Sequence, residues 1–457
     1  MLRASRSVIG SLAAAAIALG AVGCTAEGAD RTPLQHVVIH TDMGADDLIA
    51  LMYLLSEPRV VVDAVIVAGD GLTHRDPGVA NARAIVSAMR AGEIPVAGGS
   101  TEPSSGRRAF PSRWRASADH LYGLQLPLAS PGTSGDGVAT LIRAVLAAPA
   151  AVTLVELAPL TDLATALAAA PSIDDLLARV VVMGGALRVP GNVASHPDTE
   201  WNFYVDPGAA RAVAASGVPI VLVPLDATNA VPLTTYFLAG LRQHLNTTGV
   251  DRVYQLLKMN GYLLGGSYLW DPLAAALAVD PSTATLRTVP LRIDPSSGRT
   301  SIGAGTEVQV ATDVDGAAVQ SRLVAGLSGD ASARIRPPGS ELTATAHRSS
   351  FSLGAADPVR AGAVAVDLRN ERPEDVVVFV LRLHRGRTWS DVADLVRRGV
   401  TAPPSWLTVA ATVTAAARTD WLWTIELPAG DYAVVGAAQS RPPVPEPVGP
   451  LHVDPRT

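Results

Sequence analysis

The sequence predicts an α/β protein: a mostly parallel sheet with helices on both faces, followed by a small all-β sandwich domain. Three observations predict it. From Gln35 to about residue 328, short β-branched runs alternate with longer helical stretches. The strand-like runs are apolar throughout rather than alternating, as in strands buried on both faces. Beyond residue 342, helical periodicity almost vanishes and short strands follow one another between turn clusters. The 457 residues, 48% apolar and 17% charged, suit a globular chain of two to three domains. A net charge of −6 gives no field to attract nucleic acid. A single cysteine excludes a disulfide scaffold, an all-Cys metal site and a CxxC redox centre. The fold must stand on packing.

Residues 1–24 begin with Arg3 and Arg6, continue as an apolar run from Val8 to Val22, and end Ala21-Val22-Gly23-Cys24. The run is shorter than the roughly 20 residues that span a bilayer, so it reads as a secretory signal. The small residues before Cys24 resemble the lipobox of bacterial lipoproteins, with Ala21 where Leu is commoner. That reading makes Cys24 the lipidated mature N-terminus and the protein extracytoplasmic, held at the bacterial cell membrane by its lipid. The plainer reading is a cleaved signal with an incidental cysteine. Residues 25–34 are then a tether.

The α/β portion, 35–328, starts with His36–His40 as a buried strand and Asp46–Leu55 as a helix. Val60–Val67 (strand), Gly78–Met89 (helix) and Ile94–Ala97 (strand) follow. Next come Ala151–Leu157 (strand), Leu163–Ala169 (helix), Val180–Met183 (strand) and Ile220–Val223 (strand). Asp206-Pro207 reads as an N-cap with Pro at the first helical position. In such sheets, ligands sit at the carboxyl ends of the strands. Residues 329–342, rich in Pro, Gly and Ser, read as a linker. Residues 343–445 resemble cupredoxin-like sandwiches, with strands at Ala363–Leu368, Asp375–Leu383, Trp421–Leu427 and Tyr432–Gly436. A blue-copper site needs a Cys thiolate that this region lacks, so the sandwich is a structural or docking appendage. Residues 446–457 read as an extended tail.

The chemistry-bearing word is Thr41-Asp-Met-Gly-Ala-Asp-Asp47. It sets three carboxylates at a strand-to-helix turn, with Gly44 permitting the tight turn and Asp46 and Asp47 in the first helical turn. Like charges so close need a cation or strong donors, and oxygen ligands suit a hard ion such as Ca²⁺. Taken alone, the word is more simply an N-capped helix with a solvated acidic turn. Further words follow in order: Val67-Ala-Gly-Asp70, Leu154-Val-Glu-Leu-Ala-Pro-Leu-Thr-Asp-Leu163, Val182-Met-Gly-Gly185, Gly191-Asn192, Thr199-Glu-Trp-Asn-Phe-Tyr-Val-Asp-Pro207 and Leu269-Trp-Asp-Pro272.

Together these words resemble the nucleoside hydrolase family, the inosine-uridine-preferring ribohydrolases, over about residues 35–328. The resemblance implies Ca²⁺ held by Asp42, Asp47, the Leu157 carbonyl and Asp271, with Asp42 as base for the attacking water. It places Asp46, Asn192, Glu200 and Asn202 on the ribose hydroxyls, beside Asp70. The reaction implied is single-step, inverting hydrolysis of a nucleoside to ribose and free base. Family members are often dimers or tetramers, which leaves a homo-oligomer open.

Four positions depart from the family's pattern. His40 stands for the opening Asp of D-x-D-P-G-x-D-D, Met43 for its Pro, and Asp70 for an Asn. Trp270 stands where many members carry His before the last ligand. His40 could support Asp42 by a hydrogen bond or perturb the site; as a strand histidine it also reads as a satisfied core residue. Asp70 adds a charge that could tighten the metal site or raise a pKa. Trp270 resembles the purine-preferring branch: a purine is protonated at N7, and an indole face stabilises the developing cation by about 1–2 kcal/mol when desolvated. A pyrimidine needs a positioned acid instead. Mere wall packing is the plainer role for Trp270. Trp114 or Tyr122 could supply a second ring, and His120 is the remaining acid candidate. Lids are expected near 107–124 and 231–266. Two other function classes stay open: a catalytically weak nucleoside-binding surface lipoprotein, and an envelope module carried by the sandwich.

Overall fold

The computed structural model describes residues 34–455 except 107, 128–132, 265–266, 334–339, 356–357, 385, 400–402, 416–419 and 439–444. The signal segment, Cys24 and the tether up to residue 33 lie outside the described residues, as does the middle of the linker. Among the described residues no helix is long and apolar enough to cross a membrane.

The strands of the first sheet are β1 (Gln35–Thr41), β2 (Val60–Val67), β3 (Val96–Gly98), β4 (Val152–Glu156), β5 (Leu177–Met183), β6 (Ile220–Val223), β7 (Ala284–Ile293), β8 (Thr300–Ile302) and β9 (Thr306–Val314). They lie in the order β3-β2-β1-β4-β5-β6-β9-β7-β8. Every pairing from β3 across to β9 is parallel, and β7 and β8 close one side antiparallel. The expected mostly parallel sheet is thus present.

The helices of this part are α1 (Ala45–Ser56), α2 (Arg75–Ala88), α3 (Ser112–Asp119), α4 (Gly137–Ala147), α5 (Thr161–Ala169), α6 (Trp201–Val205), α7 (Pro207–Ala215), α8 (Leu225–Thr228), α9 (Thr235–Arg242), α10 (Thr248–Met259), α11 (Trp270–Val279) and α12 (Gly316–Ser328). Because successive strand residues point to opposite faces, the sheet feeds two cores. Val37, Ile39, Val65, Val67 and Val155 pack with α1, α2, α10, α11 and α12. Val38, Ala64, Ile66, Leu154 and Val180 pack with α4, α5 and α7. Asp206 caps α7 by accepting from Ala209 N, with Pro207 at the first helical position. Parallel pairing brings the ends of β1, β2, β4 and β5 to one pole, and the loops leaving that pole carry the site motifs except Leu269–Pro272, which opens α11.

The second part is a sandwich of two sheets. One contains β10 (Ser340–Ala346), β11 (Phe351–Ala355), β13 (Gly362–Asn370) and β16 (Asp420–Leu427). The other contains β12 (Val359–Arg360), β14 (Val376–Leu383), β15 (Leu407–Ala415), β17 (Gly430–Ala438) and β18 (Pro445–Asp454). Val364, Val366, Leu368, Val378, Val380, Tyr432 and Val434 fill the space between them. One helix, α13 (Trp389–Arg397), interrupts the strands and buries Val392 against Leu381 and Val435.

The segment read as a tail is extended but not free: it is β18, paired antiparallel with β17 along its length. Arg372, buried to 4% exposure, explains part of this. It grips Glu446 through two bonds of 2.9 and 3.1 Å, donates to His347 O, and lies 4.3 Å over the Phe351 ring. That anchor joins three stretches, 347–351, 372 and 446, and so is invisible to a local reading.

Candidate active site

At the pole where the parallel strands end lies a cleft of about 540 Å³. Asp42, Asp46, Asp47 and Asp271 form its floor, with Leu157, Met183, Asn192, Glu200 and Asn202 on one side. Phe110, Trp114, Tyr122, Trp201, Tyr268 and Trp270 make its aromatic walls. The expected lid segments contribute Trp114 and Tyr122 from the first, and Leu263 from the second. A larger groove of about 910 Å³, between Glu57, Arg59, Thr283 and α12, holds none of the motif residues.

The acidic floor follows from the turn after β1. Asp47 accepts from Thr41 Oγ1 at 2.6 Å, from Asp42 N at 3.1 Å and from Gly44 N at 3.1 Å. Its carboxylate therefore reaches back across the helix start it helps to cap. Met43, buried to 1%, has φ of 61°, a left-handed conformation uncommon for a side-chain-bearing residue. The proline of the family pattern, with φ locked near −65°, could not take this backbone. Asp42 accepts from Leu72 N at 2.9 Å through Oδ2, while its Oδ1 is buried without a donor. Gly71 presses against it so closely that a Cβ there would lie 2.3 Å from the Asp42 Cβ.

Oxygens of Asp46, Asp47 and Asp271 come within 4.8 Å of one another. Burial first, and then mutual repulsion, pushes Asp42 and Asp271 well above the usual carboxylate range. The same causes push Asp46 up to about 7, and burial raises Asp47. Oxygen-only donors, crowded charge and an unpartnered buried Oδ1 fit a hard divalent cation. Leu157 lies in the lining as the resemblance implies, and its carbonyl accepts from Asn202 Nδ2 at 3.3 Å. Asp46, read from sequence as a ribose contact, belongs geometrically to the tightest carboxylate trio, with Asp42 beside it.

On the opposite side, Glu200 accepts from the N–H groups of Gly185, Asn202 and Phe203 at 3.1, 2.9 and 3.3 Å. Burial still dominates and raises it to about 7. Asn192 Oδ1 accepts from Trp201 N at 3.0 Å. Phe110 stacks on Trp201 at 4.7 Å, Trp114 meets the same ring edge-on at 5.6 Å, and Tyr268 lies 5.6 Å from Trp270. The indole N–H groups of Trp201 and Trp270 are buried without partners. Phe110, Trp201 and Tyr268 were missed as site residues. Trp201 lies inside the quoted Glu-aromatic-Asn word, so its aromatic type was the available signal.

Two expectations are corrected. Asp70 is not on the cleft wall: it is buried to 2% behind it, and its Oδ2 accepts from Thr161 Oγ1 at 2.6 Å. Burial raises it to about 7. His120 is also outside the lining, its Nδ1 lying 2.7 Å from Ala116 O on the exposed end of α3. His40 is fully buried, with Nδ1 2.6 Å from Glu156 Oε2 and Nε2 3.1 Å from Asp162 Oδ2. Burial alone would lower its pKa, yet the two carboxylates together hold it well above the usual histidine value. Asp162 in turn accepts from Ser100 N and Oγ. The core reading of His40 therefore stands, in the form of a buried ion network beneath the floor.

The chain resembles known proteins over the α/β part. A pyrimidine-specific ribonucleoside hydrolase of Shewanella baltica is 35% identical over 202 residues, covering 43% of this chain and 60% of that protein. The chain thus spans under two thirds of that curated relative. A probable uridine nucleosidase 2 of Oryza sativa subsp. japonica is 29% identical over 289 residues, 59% of this chain and 82% of that protein. Among solved structures, an inosine-uridine preferring nucleoside hydrolase from Bacillus anthracis superposes with TM-score 0.57 at 28% identity, covering 65% of this chain and 99% of that one. A purine-preferring ribonucleoside hydrolase from Gardnerella vaginalis gives 0.56 at 28% identity, with 65% and 98% covered. The profile described as inosine-uridine preferring nucleoside hydrolase matches residues 37–321, and the chain belongs to that family.

Proposed function

We propose that the protein hydrolyses the N-glycosidic bond of ribonucleosides with Ca²⁺ as cofactor, prefers purine nucleosides, and releases ribose and free base. The observation that carries this reading is that two polar sets line one cleft. The carboxylates of Asp42, Asp46, Asp47 and Asp271 line it together with Asn192, Glu200 and Asn202. Asp42, Asp47, Asp271 and the Leu157 carbonyl would hold the cation, with Asp46 in reach. A bound divalent ion there lowers the pKa of water and neutralises the clustered charge.

The chain's own residues do the rest. Asp42 Oδ1, free of donors in its buried position, accepts the proton of the attacking water. Leu72 N–H holds the other oxygen and so fixes the carboxylate's aim. Asn192, Glu200 and Asn202 orient the sugar hydroxyls, so that C1′ meets the water on the face opposite the base. The transition state carries oxocarbenium character, as in O-glycoside hydrolysis. Five lining residues are carboxylates and none of the described ones is a cation, which suits an uncharged nucleoside over a 5′-phosphate.

Purine preference is supported by the walls. Trp270, Tyr268, Trp114 and Tyr122 supply aromatic rings around a bicyclic base, and no described histidine lines the cleft to serve as leaving-group acid. A purine can take its proton at N7 from solvent water, and stacked rings stabilise the cation so formed. The test is incubation of the purified protein with inosine and with cytidine plus Ca²⁺, measuring reducing sugar. Release from inosine but not cytidine supports the reading; equal release overturns the preference; none from either favours the catalytically weak binder.

Membrane attachment through lipidated Cys24 is part of the same proposal and rests on the signal-like residues 1–24. Metabolic labelling with a fatty acid tests it. Loss of label and of membrane association in Cys24→Ala is expected, and an unlabelled wild type would overturn it.

A further inference from the structure

Arg115 lies in α3 and belongs to none of the family's words. Its Nη2 donates to Gly69 O at 2.7 Å and to Thr73 O at 2.9 Å, the two ends of the loop that leaves β2. Between those ends the loop grips Asp42 at three points. Leu72 N–H donates to Asp42 Oδ2, Thr73 N–H donates to Asp42 O at 3.0 Å, and Gly71 packs flat against the side chain.

The far end of α3 repeats the hold. Asp119 accepts from Thr73 Oγ1 at 3.0 Å, from His74 N at 2.8 Å and from His74 Nδ1 at 2.6 Å. Asn81 Nδ2 in turn donates to Ala118 O and Asp119 O. The same short helix presents Trp114 and Ser117 to the cleft. One rigid element thus carries an aromatic wall on one side and clamps the Asp42 loop on the other. Arg115 is half-buried; its Nε is shielded from solvent without a partner, while Nη2 makes the two bonds to the loop.

We propose that Arg115 is a positioning residue for Asp42: it holds the 69–73 loop against the carboxylate and ties that loop to the helix bearing the aromatic wall. The idea rests on Asp42 being the base, but the clamp itself is a statement about the loop. A guanidinium can bridge two carbonyls with one planar nitrogen, whereas an ammonium keeps the charge and gives a looser bond. Misplacement of a reacting group by about 1 Å can cost ~100-fold in rate.

The experiment compares wild type, Arg115→Gln and Arg115→Lys with inosine and Ca²⁺, alongside amide hydrogen exchange at Leu72 and Thr73. Arg115→Gln is expected to lower kcat about 30-fold with KM within about threefold, and Arg115→Lys to recover much of that loss. Both amides should exchange at least about tenfold faster in Arg115→Gln while amides of β1 keep their protection. The proposal is overturned by a kcat within twofold of wild type, or by a kcat loss without faster exchange at Leu72 and Thr73. A rise in KM alone overturns it too. If Arg115→Gln does not fold, Arg115→Lys must show the same split and the same exchange pattern in smaller measure, or the idea fails. If wild type itself releases no ribose, the functional reading fails, and the exchange arm still decides the clamp.

Discussion

Asp42 is held by its neighbours more than by its own strand, and this makes it sensitive to changes that do not touch its charge. Asp42→Asn keeps the shape and removes the proposed proton acceptor, so kcat for inosine should fall by about 10²–10⁴ with little change in fold. Gly71→Ala should do nearly as much harm, because the added methyl occupies the carboxylate's place; steady-state kinetics on both variants checks this. His40 is a stability liability at this scale. Replacing it by Leu leaves Glu156 buried without its partner and Asp162 with the Ser100 donors but no cation, and chemical denaturation should show a loss of about 3–5 kcal/mol.

Glu200 gives a pH dependence of stability. Unfolded, it ionises near its usual 4.5; folded, burial holds the proton until about 7. The native state therefore binds more proton in that window, and this group's contribution to stability falls as pH rises from about 4.5 through about 7. In Glu200→Gln that part of the slope should flatten, as thermal unfolding across the window would reveal.

At the scale of elements, the turn between β1 and α1 decides the site. A close match to the family pattern would suggest that restoring its proline could only help. The left-handed φ of Met43 says otherwise: Met43→Pro should destabilise the chain and lose activity, measurable by thermal melt and by ribose release. Helix α3 shows the complementary case. It is only eight residues long, yet Phe110 and Trp114 pack on Trp201 and Asp119 anchors the 73–74 turn. A short helix of this kind is held in place by tertiary contacts rather than by its own propensity.

For the whole molecule, the proposed Ca²⁺ is the lever to test. A ligand bound only by the folded state stabilises it by mass action, about 2.7 kcal/mol at 100 times Kd. Adding Ca²⁺ to chelator-treated protein should therefore raise the melting temperature of the α/β part, and Asp271→Ala should abolish that gain. An unchanged melt in wild type would count against the carboxylate cage. The sandwich has its own core, and Arg372 with Glu446 ties down its last strand. Removing residues from 445 onward should expose that core and lower solubility, which sedimentation would show.

The sequence by itself determined the alternation of strands and helices, the parallel class of the sheet, and the words that carry the acidic turn and the ribose segment. These are local: apolar runs, N-caps and glycines act within a few residues, so their pattern survives in one dimension. It offered Trp114 or Tyr122 as a second ring from the position of their loop, and both line the cleft. Only the tertiary structure decided which polar residues face substrate and which face each other. Asp70, like Asp42, stands just past a strand end, yet it is turned inward to Thr161, while His40 finds Glu156 and Asp162 more than a hundred residues away. Arg115 has no sequence signature because its role lies in bonds to backbone carbonyls, which any residue supplies. The last strand escaped for a related reason. Pairing of β18 with β17 depends on a neighbour already in place and on a buried guanidinium, and neither leaves a periodic mark in a segment rich in proline.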